Sequence, residues 1–456
     1  MSATRRSWSN RRPGTGYAAS WRSTESGGDM ATDSTVPAQP RWPKRLTLLF
    51  LCFAATFVCY IDRVNISVAA IAMQESFGWS ETTKGLVLSS FFIGYMIFQV
   101  PSGWLASRHG GKLVMGLAIA WWSLFTILTP LAAAVSLPML LLARVGMGLG
   151  EAATFPAGYY LGARWFPPGE RSRFVAVLLS GVPAGTVFAL LTTGWIVTHW
   201  GWQSVFYLFG VAGLVVTALW FALVHDSPAG HPRISAAERA LLASADDKRE
   251  GSGPTPWRRL LALPAIWALV FNHFCSNWIL YMLLSWLPSY FRATQDLSLI
   301  NAGLFSAAPW LSMFATINLG AWLADGRIRR GASVTAVRKL MQAIGLLGAG
   351  GFLLLAREAA TPLMALLVMC CALGALGFTW SGFAPNHLDI APRHADVLMG
   401  LTNTAGTVPG IIGVAVTGWL VDRTGSFDAA FLLAASVAAA GALVWLLFAT
   451  GRRILD

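Results

Sequence analysis

Four ionisable side chains stand inside long apolar runs: Asp62 and Arg63 together in the first run, Arg144 and Glu151 in a later one. Each costs about 2.5–3.5 kcal/mol at the centre of a bilayer on insertion scales, so each must face a partner or a cavity. Their formal charges cancel. Arg144 and Glu151 are seven residues apart, two helical turns, hence on one helix face, and Asp62 shares a face with Asn65. Two roles fit them. The four can be buried ion pairs that only fix helix packing, in which losing one partner is strongly destabilising. Alternatively they form a coupling site, where a carboxylate pinned by an arginine takes up a proton when an anionic substrate claims that arginine. All four lie in one half of the chain, with no comparable charge deep in the other, which favours coupling with Asp62 and Glu151 as proton carriers. His273, beside Asn272 and Asn277, reads as a packing residue before it reads as a proton relay.

The elements that must hold these charges are transmembrane helices. Of 456 residues 55% are apolar and only 12% charged, whereas soluble domains carry about 25% charged residues. A soluble globular enzyme is thereby excluded. The net charge of +12 would suggest nucleic acid in a soluble protein; here basic loops beside membrane spans account for it, and no nucleic-acid partner is expected. The five cysteines all fall in apolar runs, as small hydrophobes rather than a disulfide framework. HExxH, GxxxxGK[ST] and GxSxG are missing, so no metal, no cofactor and no enzymatic activity are expected.

Apolar runs recur at about 46–73, 84–106, 113–134, 137–163, 172–198 and 204–225, then at 264–291, 299–324, 339–356, 362–385, 397–421 and 427–449. About 20 helical residues cross a bilayer core, so this is an all-α membrane protein with twelve spans in two six-helix bundles. The bundles cover 46–225 and 263–449. Residues 226–262, with Pro228, Pro232, Pro254, Pro256 and the charges at 246–250, read as a cytoplasmic linker holding an amphipathic helix, and 450–456 as a short tail. Residues 1–45, rich in Arg, Ser, Thr and Gly, read as a disordered tail with Met30 as a second candidate start; an acid-poor, Arg/Ser-rich stretch is also how organellar transit peptides read. Short loops on the N-terminal side hold most of the Lys and Arg, against only Lys84, Arg292, Arg357 and Arg423 on the other, which predicts cytoplasmic termini.

The halves repeat each other. Trp104-Leu105-Ala106-Ser107 ends the second run as Trp322-Leu323-Ala324-Asp325 ends the eighth, and Gly194-Trp195-Ile196-Val197 in the fifth is answered by Gly418-Trp419-Leu420-Val421 in the eleventh. Parallel repeats of this kind suit a secondary transporter with its site between the halves. In the fourth run Gly146-x-x-x-Gly150 allows close approach of a neighbouring backbone.

Several segments resemble one family. Tyr60-Ile61-Asp62-Arg63-Val64-Asn65, Gly94-Tyr95 followed by Gln99 to Gly103, and Gly148-Leu149-Gly150-Glu151-Ala152 through Phe155-Pro156 resemble the anion:cation symporter family of the major facilitator superfamily. Phe274 to Trp278, Gly303 to Ser306 with Pro309-Trp310, and Asn386 to Arg393 look like its sialin, vesicular glutamate and plastid phosphate transporter branch; bacterial sugar-acid symporters are also similar. The match covers about 46–449. It implies two bundles rocking about a central site, Arg63 holding an anion, Arg144, Tyr95, Trp380 and Asn403 lining its site, Asp62 and Glu151 coupling protons, and Ser107, Arg108, Asp325 and Arg327 in the inner gate.

The chain departs from that pattern at Ser107, where the family has Asp, at Val182 and Gly377, where sugar-acid symporters have polar residues, and at Leu88 and Ser276, where the glutamate branch has His and Arg. Fewer hydroxyl partners imply a smaller or less hydroxylated anion, and glutamate is not supported. The expected function is proton-coupled symport of a small organic anion, a sugar acid or other carboxylate. Sodium- or proton-coupled phosphate transport is the alternative, and a ligand-binding receptor is the reading from another class. The chain is expected to act as a monomer in lipid, with the anion and a proton or sodium ion as partners. The bacterial inner membrane is the preferred location, with plastid envelope and eukaryotic vesicle open.

Overall fold

The computed structural model describes residues 42–243 and 257–454; the tail up to residue 41, the charge cluster at 246–250 and the last two residues lie outside them. Among the described residues there is helix and no strand. Helices α1 (Lys44–Phe77), α2 (Glu81–His109), α3 (Gly111–Val135), α4 (Leu137–Glu151), α5 (Thr154–Trp165), α6 (Pro168–Trp200) and α7 (Trp202–Leu223) form the first half. The linker carries α8 (Ala236–Ala243) and α9 (Trp257–Leu261). The second half holds α10 (Pro264–Gln295), α11 (Leu299–Arg329), α12 (Val334–Ala356), α13 (Pro362–Gly377), the short α14 (Thr379–Gly382) and α15 (Asn386–Ile390), then α16 (Ala395–Thr424) and α17 (Asp428–Phe448).

Among the described residues, eleven helices are long and apolar enough to cross a membrane. The twelfth expected span, 137–163, is present as α4 and α5, each too short alone. Ala152 and Ala153 between them keep right-handed helical angles, and the Ala153 amide bonds to Gly150 rather than to Leu149. The run is therefore one span with a tightened turn beside Glu151. Large apolar side chains such as Phe50, Ile97, Leu142, Trp322 and Leu443 are exposed on these helices. In water such a surface would drive aggregation; in lipid it is the expected outer wall.

Sequence punctuation explains the short connections. α1 ends at Gly78 with φ 64° and α16 at Gly425 with φ 70°, a left-handed geometry that only glycine adopts at no steric cost. α2 starts at Ser80, whose hydroxyl accepts from the Thr83 amide. In the first half α1 packs on α6, α3 on α7, and α4 on both α2 and α3; in the second, α10 packs on α16, α12 on α17, and α13 on both α11 and α12. The pairing repeats span for span, which is the structural form of the repeated tetrads.

The repeated Gly-Trp motif is where the halves meet. A Cβ on Gly194 would lie 2.7 Å from the Leu299 carbonyl oxygen, and one on Gly418 would lie 2.5 Å from that of Glu81. Thus α6 meets α11 and α2 meets α16 at backbone distance, at the end of the bundle away from the termini. Toward the termini, Gly326 and Gly400 face open space. The halves are thus in backbone contact at the end away from the termini.

Candidate functional site

The site is built where α1, α2 and α4 cross. A Cβ on Gly94 would strike the Val145 carbonyl oxygen, and one on Gly148 would strike that of Phe91, so only glycine lets α2 and α4 approach this closely. Gly150 faces the α3 backbone while Gly146 meets the Phe125 ring, so close backbone approach holds at one of the two expected glycines. This crossing sets Phe91 and Tyr95 beside the side chains of α1 and α4.

Asp62, Arg63, Arg144 and Glu151 are all buried. Only one ion pair forms among them. Arg63 donates from Nε at 3.0 Å and from Nη2 at 2.9 Å to the same oxygen, Oε2 of Glu151. The Cys59 thiol donates to that oxygen at 3.3 Å, and Oε1 is left bare. The guanidinium carbon lies 4.7 Å from the Tyr60 ring, 4.9 Å from Phe91 and 4.7 Å from Tyr95. Such a cage stabilises a cation where water is scarce.

The other two charges stand apart. Both carboxyl oxygens of Asp62, and both polar side-chain atoms of Asn65, are buried without a hydrogen-bond partner. Arg144 acts on Asp62 electrostatically but makes no ion pair among the described residues; its Nη1 donates to the Met147 sulfur at 3.0 Å and its Nε has no partner. Arg63 and Arg144 share a small cavity with Ser67, Phe91 and Phe92, closed from the second half by Leu284 and Ser285. It has room for about one water. Two guanidinium groups thus face one cavity, Arg63 paired with Glu151 and Arg144 without an ion pair among the described residues, which makes the cavity electropositive.

The structure brings Asp62, Arg63, Tyr95, Arg144 and Glu151 together. Trp380 is 41% exposed on α14 with its ring tilted 52° to that of Phe383 at 6.3 Å, and Asn403 is half-buried on α16; neither is joined to Arg63 by a hydrogen bond or ring contact. Ser107, Arg108, Asp325 and Arg327 are exposed with no ion pair among them: Ser107 bonds back to the Trp104 carbonyl and Arg108 lies over the Trp104 ring. The absent serine at Gly377 has a packing reason, because a side chain there would meet Thr316 and the α11 backbone. Sequence reasoning passed over Tyr60, Phe91 and Cys59, whose spacing from Arg63 on α1, or from Tyr95 on α2, is one helical turn.

Comparison with known proteins follows the same line. Residues 52–414 match the family model of the Major Facilitator Superfamily. The ascorbate transporter, chloroplastic, of Arabidopsis thaliana is 42% identical over 92% of this chain and 78% of its own length. The sodium-dependent phosphate transport protein 1, chloroplastic, of the same plant is 41% identical over 94% and 84%. A bacterial homologue of the human lysosomal transporter Spinster shares the fold at 19% identity, with TM-score 0.73 over 90% of this chain and 97% of that one. The relatives' names give no support to a bacterial inner membrane. The chain is a multi-pass membrane transporter, not an enzyme, and it belongs to the anion:cation symporter branch of the Major Facilitator Superfamily.

Proposed function

We propose that the chain moves a small organic anion together with protons by alternating access. The observation that carries this reading is the buried Asp62, whose two oxygens have no partner although an arginine follows it in sequence. An unpaired carboxylate away from water is far costlier than a neutral acid, so such a group is held with its proton. With Asp62 neutral and Glu151 paired to Arg63, Arg144 leaves one uncompensated positive charge, which one anionic group balances.

The cycle follows from this balance. The anion enters against Arg144 and competes for Arg63. As Arg63 turns to the anion, Glu151 loses its partner and its bare Oε1 takes up a proton. The added anion and proton cancel, so the loaded site carries the same net charge as the empty one, both forms close to water alike, and the halves rock. Release toward the other side lets Glu151 recover Arg63 and discharge the proton. Trp380 and Asn403 are proposed to complete the binding site from the second half when the halves close, and Ser107, Arg108, Asp325 and Arg327 to meet in the inner gate.

The ascorbate and phosphate named for the relatives leave two anion classes in play, and the aromatic cage around Arg63 favours an organic one. The free Arg144 beside Arg63 suits phosphate, which remains the second reading, driven by sodium or protons. Both relatives are named chloroplastic, and the acid-poor, Arg-rich stretch before residue 42 fits an organellar address, so a chloroplast membrane is the proposed location, with the termini on the basic, cytoplasm-like face. Counterflow in reconstituted vesicles tests the function. Labelled ascorbate or a labelled sugar acid accumulating against unlabelled anion inside supports carriage; saturable binding without accumulation means a receptor, and phosphate alone means the second reading.

A further inference from the structure

Besides Arg63 and Arg144, another cation is buried in the first half, closer to the end away from the termini. Lys84 on α2 is 2% exposed. Its Nζ donates to Oε1 of Gln74 at 2.7 Å and lies 2.7 Å from Oε2 of Glu81, while Gln74 donates to the other Glu81 oxygen at 2.9 Å. These partners all belong to the first half. The cover comes from the second half. The Trp286 ring centroid is 5.1 Å from Nζ, and its indole N–H is fixed to the Val414 carbonyl at 3.0 Å. On the same α2 turn Thr82 donates to Asp422 of α16 at 2.7 Å, and Gly85 meets Gly418.

Lys84, Leu88, Phe91 and Tyr95 follow one another at helical spacing and share one face of α2. Leu88 and Phe91 line the cavity of the two arginines, and the rings of Phe91 and Tyr95 cover Arg63. The ammonium therefore stands on the transport face itself, about 10 Å along the helix from Phe91 at 1.5 Å per residue. A seam between two halves needs no ammonium. An apolar side chain closes it without the desolvation that a buried charge incurs even when paired.

We propose that Lys84 is an outer anion-binding step on the transport path, taking the carboxylate or phosphate group of the substrate before it reaches the arginines. This rests on the anion-transport reading above. When the halves part, Trp286 and Asp422 leave with the second half and Lys84 becomes the hydrated cation at the mouth. The incoming anion then displaces Glu81 from Lys84, as it later displaces Glu151 from Arg63. Both cations are held by a glutamate until the substrate arrives, so neither is left bare in the empty protein.

The test is sided kinetics in sealed vesicles sorted by orientation, using labelled ascorbate and labelled phosphate as probes. Lys84→Gln should raise KM for entry from the face away from the termini about tenfold, the loss expected for a weakened charge contact, and leave KM from the terminal face unchanged. Lys84→Arg should keep most of the affinity. Glu81→Gln removes the competitor and should lower KM on that face alone, which keeps the test valid if Lys84→Gln fails to assemble. Equal changes on both faces, or none on either, would overturn the outer step while leaving anion transport intact. Failure of the unaltered protein to carry any anion would overturn the proposed function instead.

Discussion

Arg63 does not pair with its sequence neighbour Asp62 but reaches across to Glu151, placing two donors on one oxygen and leaving the other free. Neighbours in a helix point about 100° apart, so the acid beside the arginine in sequence lies on a different face. In the proposed cycle this divides the labour: one carboxyl holds the arginine that receives the anion, and the other stands apart and neutral.

Arg63→Ala should weaken anion binding by at least about 100-fold, or about 2.7 kcal/mol, since it removes the buried cation and leaves Glu151 unpaired. Arg63→Lys should recover little of this, because a lysine cannot place two donors on one carboxylate oxygen and fills the aromatic cage poorly. Calorimetry on detergent-solubilised protein checks both. Unchanged affinity in the alanine variant would remove Arg63 from the binding site.

Glu151→Gln mimics the protonated side chain in shape and charge. It should keep anion exchange within a few-fold and abolish accumulation under a pH gradient, because the loaded protein still rocks but no longer exchanges the proton. The two assays on one vesicle preparation separate these effects. Continued concentration of anion by this variant would show that Glu151 does not carry the coupled proton.

Gly148→Ala places a methyl group against the Phe91 carbonyl where α4 crosses α2. Overpacking of this kind costs about 1–3 kcal/mol. Thermal unfolding should fall by several degrees and anion affinity should drop with it, since the displaced Phe91 and Tyr95 belong to the Arg63 cage. Gly351→Ala, facing open space on α12, is the control expected to change neither.

The linker should respond to acid. Glu238 on α8 accepts from the Lys44 and Arg45 amides at 3.0 Å each, so the linker caps the first turn of α1. Nearby, burial together with the His225 ring and the Lys44 charge pushes the His231 imidazole below its ordinary 6.5. A histidine lowered on folding binds fewer protons folded than unfolded, so its packing is fully stable above the unfolded value and weakens as pH falls through it. The protection of residues 225–243 against hydrogen exchange, relative to the intrinsic rate at each pH, should therefore fall below about pH 6.5. His231→Gln should flatten that pH dependence, and Glu238→Gln should quicken exchange at every pH.

Much of the fold could be read before any coordinates. Uninterrupted apolar runs announce spans directly, and the Gly-Trp tetrads announced the duplication. The four deep charges stood out because every other Asp, Glu, Lys or Arg in the apolar runs lies at a run's end. What sequence could not show is partnership: nothing in the spacing says that Arg63 chooses Glu151, or that Arg144 and Asp62 form no pair. The aromatic cage stayed hidden because rings are ordinary in membrane helices, and Tyr60 and Phe91 looked like packing. Lys84 passed as a loop-flanking charge, since its burial depends on Trp286, about 200 residues away and in the other half. Trp380 and Asn403 came from the family resemblance, and in this conformation they stand away from the arginines.

In the proposed cycle the anion and the proton cross together. The most direct measurement uses sealed vesicles with a trapped pH dye, equal pH on both sides and no sodium. Adding ascorbate or a sugar acid outside should acidify the interior in vesicles holding the unaltered protein and leave it unchanged with Glu151→Gln. Anion entry without a pH change, or entry that requires sodium, would contradict proton coupling.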